Sequence, residues 1–457
     1  MSKMPATGND DRQLTAPIAS FAANLNHNAT PSEARIAARQ CLLDVLGVML
    51  VGANEPLVQM LSAEAEEAGG SEQATVVGKG FKTSASQAAL VNGACAHALD
   101  YDDVLKAMLG HPTVPVWPAL LAIAERDGYS GRDIITAFIA GLEVEARIGT
   151  LMATGHYAKG WHSTGTIGTF AAAAAVGRLL KLDDEKMTRC FGIAGTQAAG
   201  LKSMFGTMCK PLHAGKAAQN GVLAASLAKR GFSAKEDVLD CFQGFVDTMS
   251  DGGLAPDTAL ENLGEQFHAP DVLFKYHAAC YGTHGPIEAA LKAADHPAFD
   301  ADLIEKVDIV VAQHCIGMCD IPEPTTGLEG KFSLTHNVAL GLLKQADGAL
   351  DLYDDARMTD QAPSALRKKV NVSSTDKIGA FEANITVHLS NGIVIRETHD
   401  ADVPERDLDL QWEKLERKFR TLTTPILGES KVEKIIELVH NLDDADSISP
   451  LMEAARN

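Results

Sequence analysis

Aromatic side chains are scarce in this chain, at 5% of 457 residues, and positive charge is in short supply, with 40 lysines and arginines against 60 aspartates and glutamates. The formal net charge of −20, with no run of lysines or arginines anywhere, excludes nucleic acid as a partner. A small anionic ligand would be repelled by the general field, so any lysine set inside a motif carries more weight than usual. Long apolar runs are missing too. Stretches such as Cys41 to Val51 end well short of the roughly 20 residues that cross a bilayer, so no membrane span is expected. Met1 to Arg12 is polar and acidic, without the charged-then-apolar pattern of a signal peptide, and a cytoplasmic location is expected.

The eight cysteines lie far apart, at 41, 95, 190, 209, 241, 280, 315 and 319, and read as reduced thiols. His314-Cys315-x3-Cys319 is the one ligand-like spacing, but it has no second pair at zinc-site separation, so buried packing and no metal are expected there. Gly78-Lys-Gly-Phe-Lys-Thr83 lacks the phosphate-loop spacing Gly-x4-Gly-Lys-Ser/Thr. Gly-x-Ser-x-Gly and His-Glu-x-x-His are also absent, which sets aside nucleotide, serine-hydrolase and zinc-protease readings.

What is present is small and apolar. The length suits two to three domains and the 46% apolar content supports large cores, while abundant alanine and 39 glycines imply helices packed closely through small side chains. Thr30-Pro-Ser-Glu33 predicts a helix start, with Thr30 as N-cap, Pro31 at the first position and Glu33 reaching back, running to about Val51. Further helices are predicted over Ser84 to Ala98, from Ser130-Gly-Arg-Asp133 to about Ile148, from Thr166 to Leu180, and from Lys216 to Arg230.

Near residue 270 the texture changes. Val307 to Val311, Val370 to Val372 and the alternating Ala383 to Leu389 read as strands, the last joined to Ile393 to Ile395 through Asn391-Gly392, a strong hairpin signal. Helical patterns at Ile287 to Ala294 and Asn337 to Leu343 make this an α+β module, and beyond Asp407 the pattern is helical again. The fold class is therefore mainly α: a large all-helical domain over 1–268 and 405–457, with a smaller α+β domain over 269–404.

Three histidine-bearing stretches hold the chemistry: Ala98-Leu-Asp-Tyr-Asp-Asp103 leading to Gly110-His-Pro112, Gly160-Trp-His-Ser-Thr164, and Lys210-Pro-Leu-His213. Taken singly, each histidine is more often structural and each lysine more often solvated. Asp100, Asp102 and Asp103 could bind a hard cation, although carboxylates at a helix end are more often bonded to backbone or water. As a set, His111 and His162 can exchange protons near neutrality, and Asp100, expected to point inward, can orient or charge an imidazole. Lys210, in an apolar and glycine-bearing stretch, can anchor a carboxylate as a point charge. Lys202, Lys216 and His213 can add positive potential, and Lys275 sits in Phe274-Lys-Tyr-His277.

These segments together resemble the MmgE/PrpD family. The matching words are Asn92-Gly93-x3-His97-Ala98-Leu99-Asp100-Tyr101-Asp102-Asp103, Gly110-His111-Pro112, Gly155-His156-Tyr157 leading to Gly160-Trp161-His162-Ser163-Thr164, Phe205-Gly206-Thr207-Met208-x-Lys210-Pro211-Leu212-His213-x-Gly215, and Cys280-Tyr281-Gly282-x-His284. They extend over about residues 14 to 430. The resemblance implies a helical domain with an α+β lid, a homodimer, and catalysis without metal or organic cofactor on a small anionic carboxylate. It implies a catalytic set of Asp100, His111, His162, Lys210 and Lys275, to which Tyr157, His213 and Lys202 are added as substrate-binding positions. A hydro-lyase of the 2-methylcitrate dehydratase type is the leading expectation, with an iminodisuccinate-type epimerase or a cis-aconitate decarboxylase as alternatives and a noncatalytic carboxylate-binding protein behind them. Val104 stands where decarboxylase members carry a threonine, and the segment from Asp100 to His111 is one residue longer than theirs, which argues against decarboxylation.

Overall fold

The computed structural model describes residues 14–251 and 256–456, so the stretch Met1 to Arg12 lies outside the described residues. The chain forms two compact units. One takes Met1–Asp100, Val104–Val272 and Lys434–Asn457; the other takes Leu273–Glu433 with the short piece Tyr101–Asp103.

The first unit is built on helices α1 (Thr15–Asn24), α2 (Ser32–Gly52), α3 (Pro56–Ala68), α4 (Ala85–Ala96), α5 (Thr113–Asp127), α6 (Gly131–Ala158), α7 (Ser163–Leu179), α8 (Asp184–Gly195) and α9 (Cys209–Lys229). Helix α7 is its centre. Every α7 residue except Arg178 is buried, because the helix packs against α5, α6, α8 and α9 on all sides and has no wet face to fill with charge. Small residues make this possible. At the crossing of α4 and α9, a Cβ on Gly93 would lie 2.8 Å from the Cα of Gly215, so the two backbones approach as closely as glycine alone permits.

The unit is not purely helical as expected. Strands β1 (Ala74–Thr75) and β2 (Lys82–Thr83) form a two-residue antiparallel ladder. The Asn92 side chain clamps it to α4, donating to the Thr75 carbonyl and accepting from the Val77 amide, both at 2.9 Å. Asn92 and Gly93, two words of the first motif, are thus explained by packing.

Several helix ends differ from the sequence reading. Thr30 does not cap α2; its hydroxyl closes the preceding turn onto the His27 carbonyl at 2.6 Å, and Pro31 precedes the first helical residue without a side-chain cap. The capping box at Ser130 and Asp133 forms, but α6 continues ten residues past Ile148, so His156 and Tyr157 ride on its last turns. Helix α9 starts at Cys209 rather than near Lys216; Lys210 and His213 therefore share its first turns, where Pro211 costs no hydrogen bond because first-turn amides have no helical acceptor.

The second unit carries a four-stranded sheet, in the order β4-β3-β5-β6. Strand β3 (Ile304–Ala312) runs parallel to β4 (Val370–Thr375) and antiparallel to β5 (Glu382–Leu389), which pairs with β6 (Val394–Asp400). The Asn391-Gly392 turn forms as expected, with Gly392 at φ +84. Along β5 burial alternates strictly, sending Ala383, Ile385, Val387 and Leu389 into the core beneath the helices His284–Ala294 and Leu334–Leu342.

The expected boundary at 405 moves to Lys434. Helix Leu408–Leu427 stays with the second unit because its polar side chains are tied there: Lys418 donates to the Tyr101 carbonyl at 2.8 Å, and Lys414 lies 3.6 Å from Glu288. Among the described residues no single helix is long and apolar enough to cross a membrane.

Candidate active site

Helix α4 stops at Ala96, and the chain turns through His97, which is buried, to Asp100, which adopts a left-handed backbone with φ +52. Aspartate tolerates this region better than most residues. The turn reverses the expected orientation. Asp100 leaves 57% of its side chain exposed, whereas Asp102 and Asp103 are the fully buried pair.

The exposed carboxylate is far from idle. Lys210 Nζ, on the first turn of α9, donates to Asp100 Oδ1 at 2.7 Å, and His111 Nε2 lies 3.6 Å from the same oxygen. The His111 amide donates to Thr164 Oγ1 at 3.0 Å, which fixes the Gly110-His111-Pro112 corner against the start of α7.

His162 immediately precedes α7. An isolated bridge between Trp161 and Leu201 aligns two loops, the His162 amide donating to Gly200 O at 2.9 Å and the Lys202 amide to Gly160 O at 2.8 Å. Gly200 sits at φ +149, and a Cβ there would crowd the His213 ring at 3.2 Å. Its absence lets His213 Nδ1 reach His162 Nδ1 at 3.0 Å. The His97 ring lies 4.5 Å from the His111 ring and 5.7 Å from the His162 ring, and Phe205 meets His162 edge-on at 5.0 Å.

Environment separates these groups. Burial, reinforced by the charges of His97, His111, Lys210 and His213, holds His162 far below the ordinary imidazole range, so it is neutral at pH 7. Burial and then Lys210 lower His213 in the same direction. With both rings neutral, the short Nδ1–Nδ1 contact holds a single proton. When that proton is on His162, its Nε2 carries the lone pair of a base.

Tyr157 and Lys202 form a pair of their own. Lys202 Nζ donates to the Tyr157 carbonyl at 3.0 Å and lies 3.5 Å above its ring; burial depresses the ammonium. The Tyr157 phenol is raised by burial and then by the Asp100 charge. The carbonyl and ring therefore already engage much of the Lys202 cation, while Lys216 turns instead to the neighbouring Gln219.

Ligand atoms of His97, Asp100 and His111 lie within 4.8 Å of one another, a nitrogen and oxygen set of the kind that suits divalent metals. Lys210 already brings a positive charge to the carboxylate, so the residues supply electrostatic stabilisation by themselves.

Lys275 belongs to the second unit, where it is buried. Nearby His284 is held well below the usual imidazole range by burial, then by His277 and Lys275. His277 Nε2 contacts Glu288 Oε1 at 2.8 Å. Burial alone would raise Glu288, but the His277 hydrogen bond and charge, with Lys414 and His399, pull it far below the carboxylate range.

Asp100, His111, His162, Lys210 and His213 thus converge within the first unit, Tyr157 and Lys202 stand beside them, and Lys275 has its own buried charge network. Sequence reasoning gave no role to His97, whose place between the His111 and His162 rings arises from the turn after α4. It also passed over His156, which spans Thr166 Oγ1 at 2.7 Å and the Met249 carbonyl at 3.0 Å. Both histidines lay inside the quoted motifs, and that was the available signal.

A helical unit that gathers imidazoles, a carboxylate and an ammonium in one place has the groups of an acid/base site. The chain belongs to the MmgE/PrpD family: residues 16–256 match its N-terminal domain and residues 277–444 its C-terminal domain. It is similar to cis-aconitate decarboxylase of Aspergillus terreus (strain NIH 2624 / FGSC A1156), at 29% identity over 99% of this chain and 98% of that protein. It is also similar to cis-aconitate decarboxylase of Homo sapiens, at 26% identity over 90% and 88%, and to the cis-aconitate decarboxylase-like protein oryM of Aspergillus oryzae (strain ATCC 42149 / RIB 40), at 26% identity over 96% of each.

Proposed function

We propose that this protein is a cofactor-independent lyase that removes a proton from carbon beside a carboxylate in a small di- or tricarboxylate and expels water. The supporting observation is the meeting of two imidazoles in one cluster: His162 is buried and kept neutral, and His111 Nε2 lies 3.6 Å from Asp100 Oδ1. A buried neutral imidazole suits the base, and the second imidazole is left for the acid. His162 takes the proton from carbon, His111 protonates the departing hydroxyl, and Lys210 neutralises the enediolate-like charge that develops between the two events.

Decarboxylation is the second reading, favoured by the names of the relatives. It needs a proton donor and a charge sink but no base at carbon, so it leaves His162 without a task. The test is a panel of 2-methylcitrate, citrate and cis-aconitate, read by absorbance of the conjugated product and by release of carbon dioxide. Dehydration of a hydroxy acid supports the first reading, and carbon dioxide from cis-aconitate the second. Deuterium entering the α-carbon without elimination points to epimerisation, and no turnover on any substrate sinks the lyase proposal.

A further inference from the structure

The second unit gathers sulfur at one place. Cys280 precedes the short turn Tyr281–Thr283, and Cys315 and Cys319 lie on the helix Gln313–Cys319; none of the three is in a disulfide. A Cβ on Gly282 would stand 3.0 Å from Cys319 Sγ, 3.3 Å from Met318 Sδ and 3.8 Å from Cys315 Sγ, so the three sulfurs crowd a residue with no side chain. Cys319 is hydrogen-bonded to Cys280, which puts those two sulfurs in contact.

Access separates the thiols. Cys280 is half-buried, whereas Cys315 and Cys319 are buried. Burial, then the neighbouring Cys280, pushes the Cys315 thiol up to about 11, and the hydrogen bond to Cys280 followed by burial raises Cys319 further. Thiols held protonated react slowly with oxidants, which disfavours Cys315 and Cys319 as the first target, and the more accessible Cys280 is the sulfur an oxidant meets first. Among the described residues these thiols do not form a close group of three ligand atoms; a bond between two of them fits the geometry better than a coordinated ion.

We propose that Cys280 and Cys319 are a modification site, forming a reversible disulfide when the protein meets a hydroperoxide. The Cys280 sulfur, as thiolate, attacks the peroxide oxygen; the O–O bond breaks, the leaving oxygen takes a proton, and Cys280 becomes a sulfenic acid. The Cys319 sulfur then displaces hydroxide from that sulfenic sulfur: the S–S bond forms, the S–O bond breaks, and the Cys319 proton leaves with the hydroxide as water. Two thiols are oxidised by two electrons, and the hydroperoxide is reduced to water and an alcohol, or to water alone. The Cys280 amide donates to the Lys331 carbonyl at 3.0 Å and its carbonyl accepts from Thr283 Oγ1 at 2.8 Å, so the disulfide ties the stretch that follows Lys275 to the end of the helix Gln313–Cys319. This site is separate from the lyase proposal and stands or falls without it.

The test is non-reducing peptide mapping of the full-length protein after graded hydrogen peroxide, with exposed Cys209 as an internal reference. A Cys280–Cys319 cross-linked peptide that dithiothreitol cleaves is expected. Cys319→Ser should leave Cys280 as a sulfenic acid, trapped by dimedone several-fold more than in the parent protein, and Cys280→Ser should leave Cys319 unoxidised. Both variants are checked for parental circular dichroism and melting. Because dimedone trapping is also followed in the parent protein, the outcome does not depend on the variants folding. A Cys280–Cys315 cross-link, conversion of Cys280 to sulfinic acid without a cross-link, or oxidation of Cys209 while Cys280 stays reduced would overturn the proposal.

Discussion

Replacing Lys210 with methionine keeps the length of the side chain and removes its charge, so the variant separates what the ammonium does for folding from what it does for turnover. In the folded protein Lys210 Nζ is 2.7 Å from Asp100 Oδ1, with 15% of the lysine and 57% of the aspartate side chain exposed. An ion pair with one partner in water is worth only about 0.2–1 kcal/mol. Loss of a preplaced charge at a developing oxyanion costs about 3 kcal/mol, which at 1.36 kcal/mol per decade is on the order of a hundredfold in rate. The expected result is therefore a small shift in the urea midpoint and a fall in kcat/KM of about two decades on the best substrate of the panel. Lys210→Arg, which keeps charge but changes its shape, should lie between the two. Both are measured by initial rates across substrate concentration and by urea unfolding monitored by circular dichroism. Turnover by Lys210→Met within a factor of two or three of the parent would refute the electrostatic role, and so would a stability loss as large as the catalytic one.

Other expectations follow from burial. His336 is buried, neither ring nitrogen has a hydrogen-bond partner, and burial first, then Arg367, lowers its pKa to about 4. Because this lies below the unfolded value of about 6.5, the unfolded chain binds more protons between those limits. The stability contribution is full above pH 6.5 and is lost as pH falls toward 4. Relative to the parent, His336→Leu should grow more stable over that window, by up to about 1.4 kcal/mol per pH unit; parallel stability curves at pH 7.5, 6 and 5 would count against it. Gly215→Ala drives a methyl group into the Leu90 carbonyl oxygen and to 2.9 Å from the Ala94 amide, so a loss of about 1–3 kcal/mol is expected in urea unfolding. Glu288→Gln removes the charge facing His277 and Lys414. It should destabilise the protein by about 3 kcal/mol, and an unchanged unfolding midpoint would show that the network is not structural.

Much of the fold was legible because its signals are local. Asn391-Gly392 between alternating runs specifies a hairpin through turn geometry, and β5 alternates because one face is wet. The errors fell where local signals compete with packing. Thr30-Pro-Ser-Glu33 has the letters of a capping box, yet the hydroxyl found the His27 carbonyl first. Helix α6 outran its predicted end, and within the extension Gly149 and Gly155 lie where a Cβ would strike Met108 and the Ser250 hydroxyl. Packing needs them there.

The site was legible in composition and not in arrangement. Motif words named Asp100, His111, His162 and Lys210, since carboxylate, imidazole and ammonium beside glycine are visible in any linear reading. The exposure of Asp100, the burial of Asp102 and Asp103, and the placement of His97 between two imidazoles are set by the turn after α4 and by what packs around it. By itself, then, the sequence determined the family, the helical bulk, the late sheet and the chemical types available for catalysis, because side-chain chemistry and periodicity are properties of the chain. Only the tertiary structure decided which imidazole stays neutral, which carboxylate meets the lysine and which cysteines touch, because desolvation and Coulomb interaction act through space between residues that the chain keeps far apart.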